Sequence, residues 1–192
     1  MANYFRCDTT FIKSTNAGGR LFSTKPKVDT ELPNGILGYM GDFLSDEVKE
    51  LLAPTDELIK SKLPVLIHNP EINYREESKT DSALGIYRNH AGKVLRTYPL
   101  EEYDRIKFSE DFFDLTGKGG DIAKGDIFVL QPNLVAGTQL KYSATAPTTA
   151  DAKFYFKVKD VKNSHIPIFF DGENSEMFPS AYKLITVELL LA

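Results

Sequence analysis

Alternation of apolar and polar positions is the dominant pattern along this chain. Residues 153–159 alternate, with Phe154, Phe156 and Val158 on one face and three lysines with one tyrosine on the other, which predicts a strand with one buried face. Residues 138–144 alternate in the same way. A period of two residues is the signature of a half-buried β-sheet, because successive side chains of a strand point to opposite faces.

Residues 91–130 predict several more strands joined by tight turns. Within this segment a Lys124-Gly125-Asp126 turn leads into the β-branched and aromatic run at 127–130, which is typical of a strand start. An Asn34-Gly35 dipeptide marks another turn of the hairpin type. Further strands are predicted at residues 36–40, 65–68 and 182–189.

Two short helices are predicted between the first strands. Residues 45–52 have Ser45 as a candidate N-cap, acids in the first turn and an apolar face that ends at Pro54. Residues 55–63 repeat that pattern and end before a second proline.

The elements together predict a mainly β protein, an antiparallel β barrel or sandwich with short helices and an extended N-terminal arm. Residues 1–34 are rich in Thr, Ser, Asn and Gly with little periodicity, so they are predicted to be an arm or a long loop. Residues 35–192 form the mostly β domain, and a division into two small β subdomains near 85–92 stays open.

Composition narrows the class of protein. The chain has 192 residues, 42% of them hydrophobic, and a net charge of −4, which fits a folded protein with no global field for nucleic acid or anionic lipid. The single Cys7 excludes an internal disulfide, and we expect it to be a small buried apolar residue. The start of the chain lacks a signal-peptide pattern and no apolar run is long enough to span a membrane, so synthesis in the cytoplasm is expected.

Charge is uneven near the N-terminus. Residues 1–30 have a balance of +3, whereas residues 31–60 have a balance of −5. The basic segment is therefore a candidate partner-binding element, able to pair with the acidic segment of the same molecule or with a neighbour, although ordinary solvated charge is the alternative. Its candidate binding residues are Arg6, Lys13, Arg20, Lys25 and Lys27.

The sequence contains no recognisable catalytic, metal or cofactor motif. His68, His90 and His165 have no spacing that places two ligands on one face. The glycines at 117–120 surround a lysine but lack the spacing and the Ser or Thr of a phosphate loop. We therefore predict no cofactor, no metal and no enzymatic activity.

Carboxylates are dense at residues 101–104 and 110–114. A glycosidase needs two carboxylates at a defined separation across a bound sugar, which clustering along the chain does not supply. A solvated face, with Ser109 starting a helical turn, is the interpretation we adopt.

Four short segments of the chain resemble accessory head proteins of tailed bacteriophages, which decorate or cement the shell around the major capsid protein. These segments are residues 71–74, 89–100 (NHAGKVLRTYPL), 104–109 and 124–130 (KGDIFVL). The resemblance implies a structural protein on the head surface of the virion that binds the major capsid protein and stabilises the head. It carries over no catalytic or metal-binding residue, because such proteins act by surface contact.

The partners expected from this reading are the major capsid protein and further copies of the chain, with no nucleic acid and no membrane. Basic residues of the arm and exposed strand edges would bridge neighbouring subunits, the edges by β-augmentation. Two alternatives remain. One is a receptor- or carbohydrate-binding module of the virion that uses exposed tyrosines such as Tyr74, Tyr87 or Tyr98, and the other is an uncharacterised cytoplasmic enzyme.

Overall fold

The chain folds into a mainly β structure. The computed structural model describes residues 7–8, 12, 21–27, 31–69, 88–132, 139–165 and 181–192. In chain order its elements are β1 (Cys7–Asp8), β2 (Phe22–Pro26), β3 (Leu32–Pro33), β4 (Leu37–Phe43), β5 (Val48–Leu52), α1 (Asp56–Ser61), β6 (Val65–Ile67), β7 (Arg88–Asn89), β8 (Leu95–Pro99), β9 (Arg105–Ser109), a 3-10 turn (Glu110–Phe112), β10 (Phe113–Asp114), β11 (Ile127–Leu130), β12 (Leu140–Ser143), β13 (Phe154–His165) and β14 (Ala181–Leu191).

A closed barrel forms the first half of the described fold. Its five strands follow the order β2-β5-β4-β6-β8, and closure removes the unpaired edges that an open sheet would present. Pairing is antiparallel except between β2 and β5, which run parallel. Leu37, Leu51 and Leu66 are among the fully buried residues that fill this part of the core.

A seven-stranded sheet in the order β1-β9-β14-β13-β11-β12-β10 forms the second half. The alternation at 153–159 behaves as predicted, because Phe154, Phe156 and Val158 of β13 are all buried. The β10–β12 pair is parallel, and the other pairs of this sheet are antiparallel. The predicted mainly β barrel is therefore confirmed and is joined to a large sheet.

Gln139 joins the barrel to the large sheet. Its side-chain oxygen accepts a hydrogen bond from the Leu37 backbone N–H at 2.7 Å, and its side-chain nitrogen donates to the Leu37 carbonyl at 3.1 Å. Gln139 is completely buried, so the carboxamide replaces the missing strand partner of Leu37 inside the core. This satisfies both backbone groups where a buried unpaired group would be costly.

A second contact at this junction depends on Gly35. Gly35 has φ of +94°, and a Cβ there would lie 2.6 Å from Cζ of Phe112 and 2.9 Å from Cβ of Cys7. The Asn34-Gly35 turn therefore packs its backbone directly against the large sheet, and only glycine fits. The dipeptide does make a turn, but it does not make a hairpin, because β3 pairs with β7 while β4 pairs with β5 and β6.

Three buried or half-buried asparagines tie the small β3–β7 sheet to the barrel. The side chain of Asn89 donates to the Leu32 carbonyl and to Oδ1 of Asn34, and Oδ1 of Asn89 accepts from the side chain of Asn69. Asn69 also accepts a bond from the backbone N–H of Arg96 at 2.6 Å. Each amide is used more than once, which is what a buried polar network needs in order to be stable.

The helix predicted at 45–52 is wrong. Residues 48–52 form strand β5, which pairs with β4 on one side and β2 on the other. Val48, Leu51 and Leu52 fit either structure in sequence, and the pairing available on both sides favours the strand over a short isolated helix. The second helix is confirmed as α1, with Thr55 as its N-cap.

The segment predicted to be an N-terminal arm contributes strands where it is described. β1 pairs with β9 at one edge of the large sheet, and β2 is a wall of the barrel. Cys7 is buried as expected, and Ile12 is buried with it. These parts are therefore integrated into the core rather than separate from it. The chain passes from the barrel to the large sheet between β8 and β9, and one continuous cluster of buried side chains includes residues of both. The division into two subdomains near 85–92 stays a prediction.

Replacing Gln139 tests the junction. We expect Gln139→Leu to lower the free energy of unfolding by about 2–4 kcal/mol, because it leaves both buried backbone groups of Leu37 without partners. Gln131→Leu is the matched control, since the Gln131 side chain bonds the more accessible Asp114, and it should cost less than about 1 kcal/mol. Urea unfolding measures both, and equal losses would contradict this role of Gln139.

Two buried hydroxyls in the barrel, those of Tyr39 and Thr24, have no hydrogen-bond partner within the described part of the chain. Burial raises the pKa of the Tyr39 phenol well above its ordinary value, so the group stays protonated. We expect Tyr39→Phe to leave the free energy of unfolding unchanged or to raise it by up to about 1 kcal/mol. Tyr39→Ala, which also removes the buried ring, should lower it by about 3–5 kcal/mol. A clear loss for Tyr39→Phe in the same urea assay would show that the hydroxyl has a partner.

Candidate partner-binding surface

The end of β4 and the turn that joins it to β5, residues 42–47, are exposed and are called the hairpin tip below. The backbone N–H groups of Leu44 and Ser45 both donate to the Val48 carbonyl, at 2.7 and 3.2 Å. The β4–β5 register shifts between Met40 and Phe43, an irregularity that increases the local twist of a hairpin. The tip is therefore an ordered turn.

The hairpin tip exposes two large apolar side chains. Phe43 is 65% exposed and Leu44 is 56% exposed. Scattered exposed apolar residues are ordinary, but adjacent ones on an ordered turn are typical of a contact surface.

Lys49 fixes one of these side chains. Its ammonium nitrogen lies 4.7 Å from the ring centroid of Phe43 and 5.2 Å from that of Phe22. Both distances are within the range of a cation–π interaction. The contact favours this position of the Phe43 ring, and most of the ring surface stays accessible.

A shallow cleft of about 250 Å³ lies beside the start of β2 and β8 and is called the barrel cleft below. Leu21 and Val94 on its wall are each about half exposed. Arg96 of the lining is exposed, as is Lys93, which precedes the lining residue Val94 in sequence. Its lining residues are Leu21, Phe22, Ser23, Asn69, Val94, Leu95 and Arg96.

The register of the barrel places the tip and the cleft at the same end. Ser23 of the cleft is the Cα partner of Val48, the residue that follows the hairpin tip. Phe22 lines the cleft and also contacts Lys49. Tip and cleft therefore lie side by side, with the Lys49 ammonium in contact with a ring of each.

Acidic residues surround the apolar pair of the tip. Asp42, Asp46 and Glu47 are all exposed. None of the ion pairs between described residues involves them, and none involves Lys93 or Arg96. The surface thus has an acidic side and a basic side whose charges are available to a partner.

The predicted basic binding residues are only partly described. Lys27 lies 2.9 Å from a carboxylate oxygen of Glu50, and this hydrogen bond and charge raise the pKa of Lys27. This ion pair joins the basic segment to the acidic segment of the same molecule, which is one of the two pairings expected from the sequence. Lys25 is exposed on β2. Arg6, Lys13 and Arg20 lie outside the described residues, and the binding role of all five stays a prediction.

The glycine-rich loop at 117–120 has a structural role. Gly117 and Gly120 have positive φ values of 88° and 111°, as expected for a turn. The ammonium of Lys118 lies 2.6 Å from a carboxylate oxygen of Asp126 and 5.0 Å from the ring centroid of Tyr142. The lysine is thus committed to a largely buried pair.

The carboxylates at 101–104 are not all solvated. Asp104 is completely buried, and its side chain accepts a hydrogen bond from the Glu101 backbone N–H at 2.7 Å. The interpretation as a solvated face is wrong for this residue, because its carboxylate closes a tight turn. The helical turn after Ser109 is present as the 3-10 turn.

One of the tyrosines considered for glycan stacking is inaccessible. Tyr98 is 7% exposed, and its ring packs edge-on against His68 at 6.1 Å between centroids. A buried ring offers no platform to a sugar. Tyr74 and Tyr87 lie outside the described residues.

No group of three or more His, Cys, Asp or Glu side chains that could hold a metal is found in the parts of the chain that are described. Within the same parts, no helix is long and apolar enough to cross a membrane. No protein-family model, curated protein or solved structure matches the chain.

The sequence reading missed the hairpin tip, because it assigned residues 45–52 to a helix. Phe43 and Leu44 were available as a signal, since they are adjacent apolar residues between Asp42 and Ser45. Only the pairing of β4 with β5 shows that they stand on a turn.

A buried carboxylate with two more accessible cations lies on the large sheet. The Glu188 carboxylate is 6% exposed, accepts a hydrogen bond from Arg105 at 3.0 Å and pairs with Lys159. Burial alone would raise the pKa of Glu188, but the hydrogen bonds and charges of Lys159 and Arg105 outweigh it and hold that pKa below its ordinary value. The cluster satisfies a carboxylate that would otherwise destabilise the sheet.

Acid should remove the contribution of this cluster. Because the pKa of Glu188 is lowered on folding, its contribution is present above the ordinary value of 4.5 and is lost as the pH falls through the lower, folded value. We expect Glu188→Gln to lower the free energy of unfolding at pH 7, and the difference from the unmodified protein to shrink below pH 4.5. Asp160→Asn, at an exposed pair with Lys162, is the control and should show little difference at any pH. A Glu188→Gln difference that does not change with pH would contradict the assignment.

Proposed function

We propose that this chain is a virion structural protein that binds the major capsid protein lattice and stabilises the head as a decoration or cement protein. The hairpin tip would supply the contact. The observation that carries the proposal is the exposed Phe43-Leu44 pair on a hydrogen-bonded turn. The choice of the major capsid protein as the partner rests on the resemblance of residues 71–130 to accessory head proteins of tailed bacteriophages.

A tip of this kind supports a binding role for two reasons. Phe43 and Leu44 together offer apolar surface that a partner can remove from water, and a few such residues commonly dominate the affinity of an interface. The hydrogen bonds to Val48 and the contact with Lys49 order the tip before it binds. Less conformational entropy is then lost on association.

Cementing follows from linkage. A protein that binds the assembled shell more tightly than free capsid subunits shifts the equilibrium toward the shell, and the shift grows with its concentration relative to its dissociation constant. Capsid lattices present the same site many times, so copies that associate with one another would bind with avidity. Lys25 and the other basic residues of the N-terminal segment would add contacts there.

Co-sedimentation with empty capsid shells tests the proposal. The unmodified protein is expected to sediment with the shells at a fixed number of copies per shell and to raise their resistance to heat. Phe43→Ser should weaken binding by about tenfold or more, as for a central interface residue.

Tyr103→Asn is the matched control for this experiment. Tyr103 is an exposed aromatic residue of another turn and has φ of 71°, which asparagine tolerates. It should bind as the unmodified protein does. Failure of the unmodified protein to bind shells or to change their heat resistance would overturn the proposal. Equal effects of Phe43→Ser and Tyr103→Asn would show that the hairpin tip is not the contact.

A further inference from the structure

The surface formed by the tip and the cleft is complementary to itself. The hairpin tip has the apolar pair Phe43-Leu44, three exposed acids and one cation, the Lys49 ammonium against the Phe43 ring. The acids are Asp42, Asp46 and Glu47. The barrel cleft exposes Leu21 and Val94 among polar groups, with Arg96 in its lining and the exposed Lys93 next to Val94 in sequence. The acids of the tip and the cations at the cleft are opposite in charge, and both halves expose apolar side chains, so each can contact the other.

We infer that the partner seated on this surface is a second copy of the chain, with the hairpin tip of each copy in the barrel cleft of the other. The inference names the partner of the surface on which the proposed function rests. It can nevertheless be tested without capsid shells.

The position of the two halves favours a closed pair of copies. Tip and cleft lie side by side at one end of the barrel, joined by the contacts of Lys49 with Phe22 and Phe43. When two such surfaces meet across a two-fold axis, each tip faces the opposite cleft and both contacts form at once. Had tip and cleft been at opposite ends, the same complementarity would have produced open chains of copies.

Apolar burial and charge contribute differently to this dimer. The cleft of the other copy would remove Phe43 and Leu44 from water, near its Leu21 and Val94. This burial supplies most of the affinity. The acidic and basic residues lie at the rim, where they steer association and exclude the wrong orientation. Raising the salt concentration should therefore weaken the dimer without abolishing it.

Sedimentation of the full chain over a concentration series is the first measurement. We expect the mass to rise with concentration from the 21.5 kDa of one chain to twice that value. Phe43→Ser should remain monomeric over the same range, and Tyr103→Asn should behave as the unmodified protein does. A protein that is monomeric at every concentration overturns the inference.

Charge reversal then tests the pairing of tip with cleft. A tip-reversed variant combines Asp46→Lys with Glu47→Lys, and a cleft-reversed variant combines Lys93→Glu with Arg96→Glu. All four side chains are exposed, so folding should be retained, and circular dichroism checks this. Each variant alone brings like charges together in both contacts and is expected to be monomeric.

Mixing the two variants restores both contacts, because the basic tip of one meets the acidic cleft of the other and the reverse contact pairs acidic tip with basic cleft. We expect a heterodimer from two monomeric proteins. A mixture that stays monomeric, or a dimer that neither reversal affects, overturns the inference.

The outcomes separate this inference from the proposed function. Shell binding by a protein that never dimerises would support the capsid role and overturn self-pairing. A dimer that does not bind shells would support self-pairing and overturn the capsid role. A protein that neither dimerises nor binds shells would overturn both the self-pairing and the capsid role.

Discussion

The structure depends on how the two buried backbone groups of Leu37 are satisfied. Leu37 is in the barrel, and the Gln139 carboxamide that bonds both its N–H and its C=O precedes a strand of the large sheet. One side chain thus acts as a strand partner and joins elements 102 residues apart in sequence. Without it, the core would contain an unpaired donor and an unpaired acceptor.

The rest of the core is arranged around this junction. Phe112 contacts the Gly35 turn from the large sheet, and its ring lies 4.8 Å from that of Phe108 between centroids. Phe113 and Phe128 continue the aromatic cluster at 4.8 Å. Helix α1 is attached on another side, where the backbone N–H of Lys153 donates to the Ile59 carbonyl at 2.9 Å. These rings on the large-sheet side of the junction make its packing sensitive to small changes in backbone position.

The same scaffold explains why the surface at the end of the barrel is suited to binding. Barrel closure pairs β2 with β5 and β8, so the start of β2 and the turn before β5 are held at fixed relative positions. Exposed apolar side chains on a fixed framework lose little entropy on contact. Charges of opposite sign on its two sides add orientation more than affinity.

Local patterns in the sequence determined the mainly β class, the buried face of β13, helix α1 and the burial of Cys7, because each of these follows from periodicity, capping or residue type over a few positions. Tertiary structure decided the rest. Residues 45–52 have an apolar spacing that is compatible with a helix or a strand. Pairing with β2 and β4 on both sides favours the strand. Asp104 looks like a solvated acid until a turn buries it. The candidate partner-binding surface combines residues 21–23, 42–49 and 93–96, and only the barrel register brings these distant segments to one end, since long-range pairing is not encoded in any local pattern.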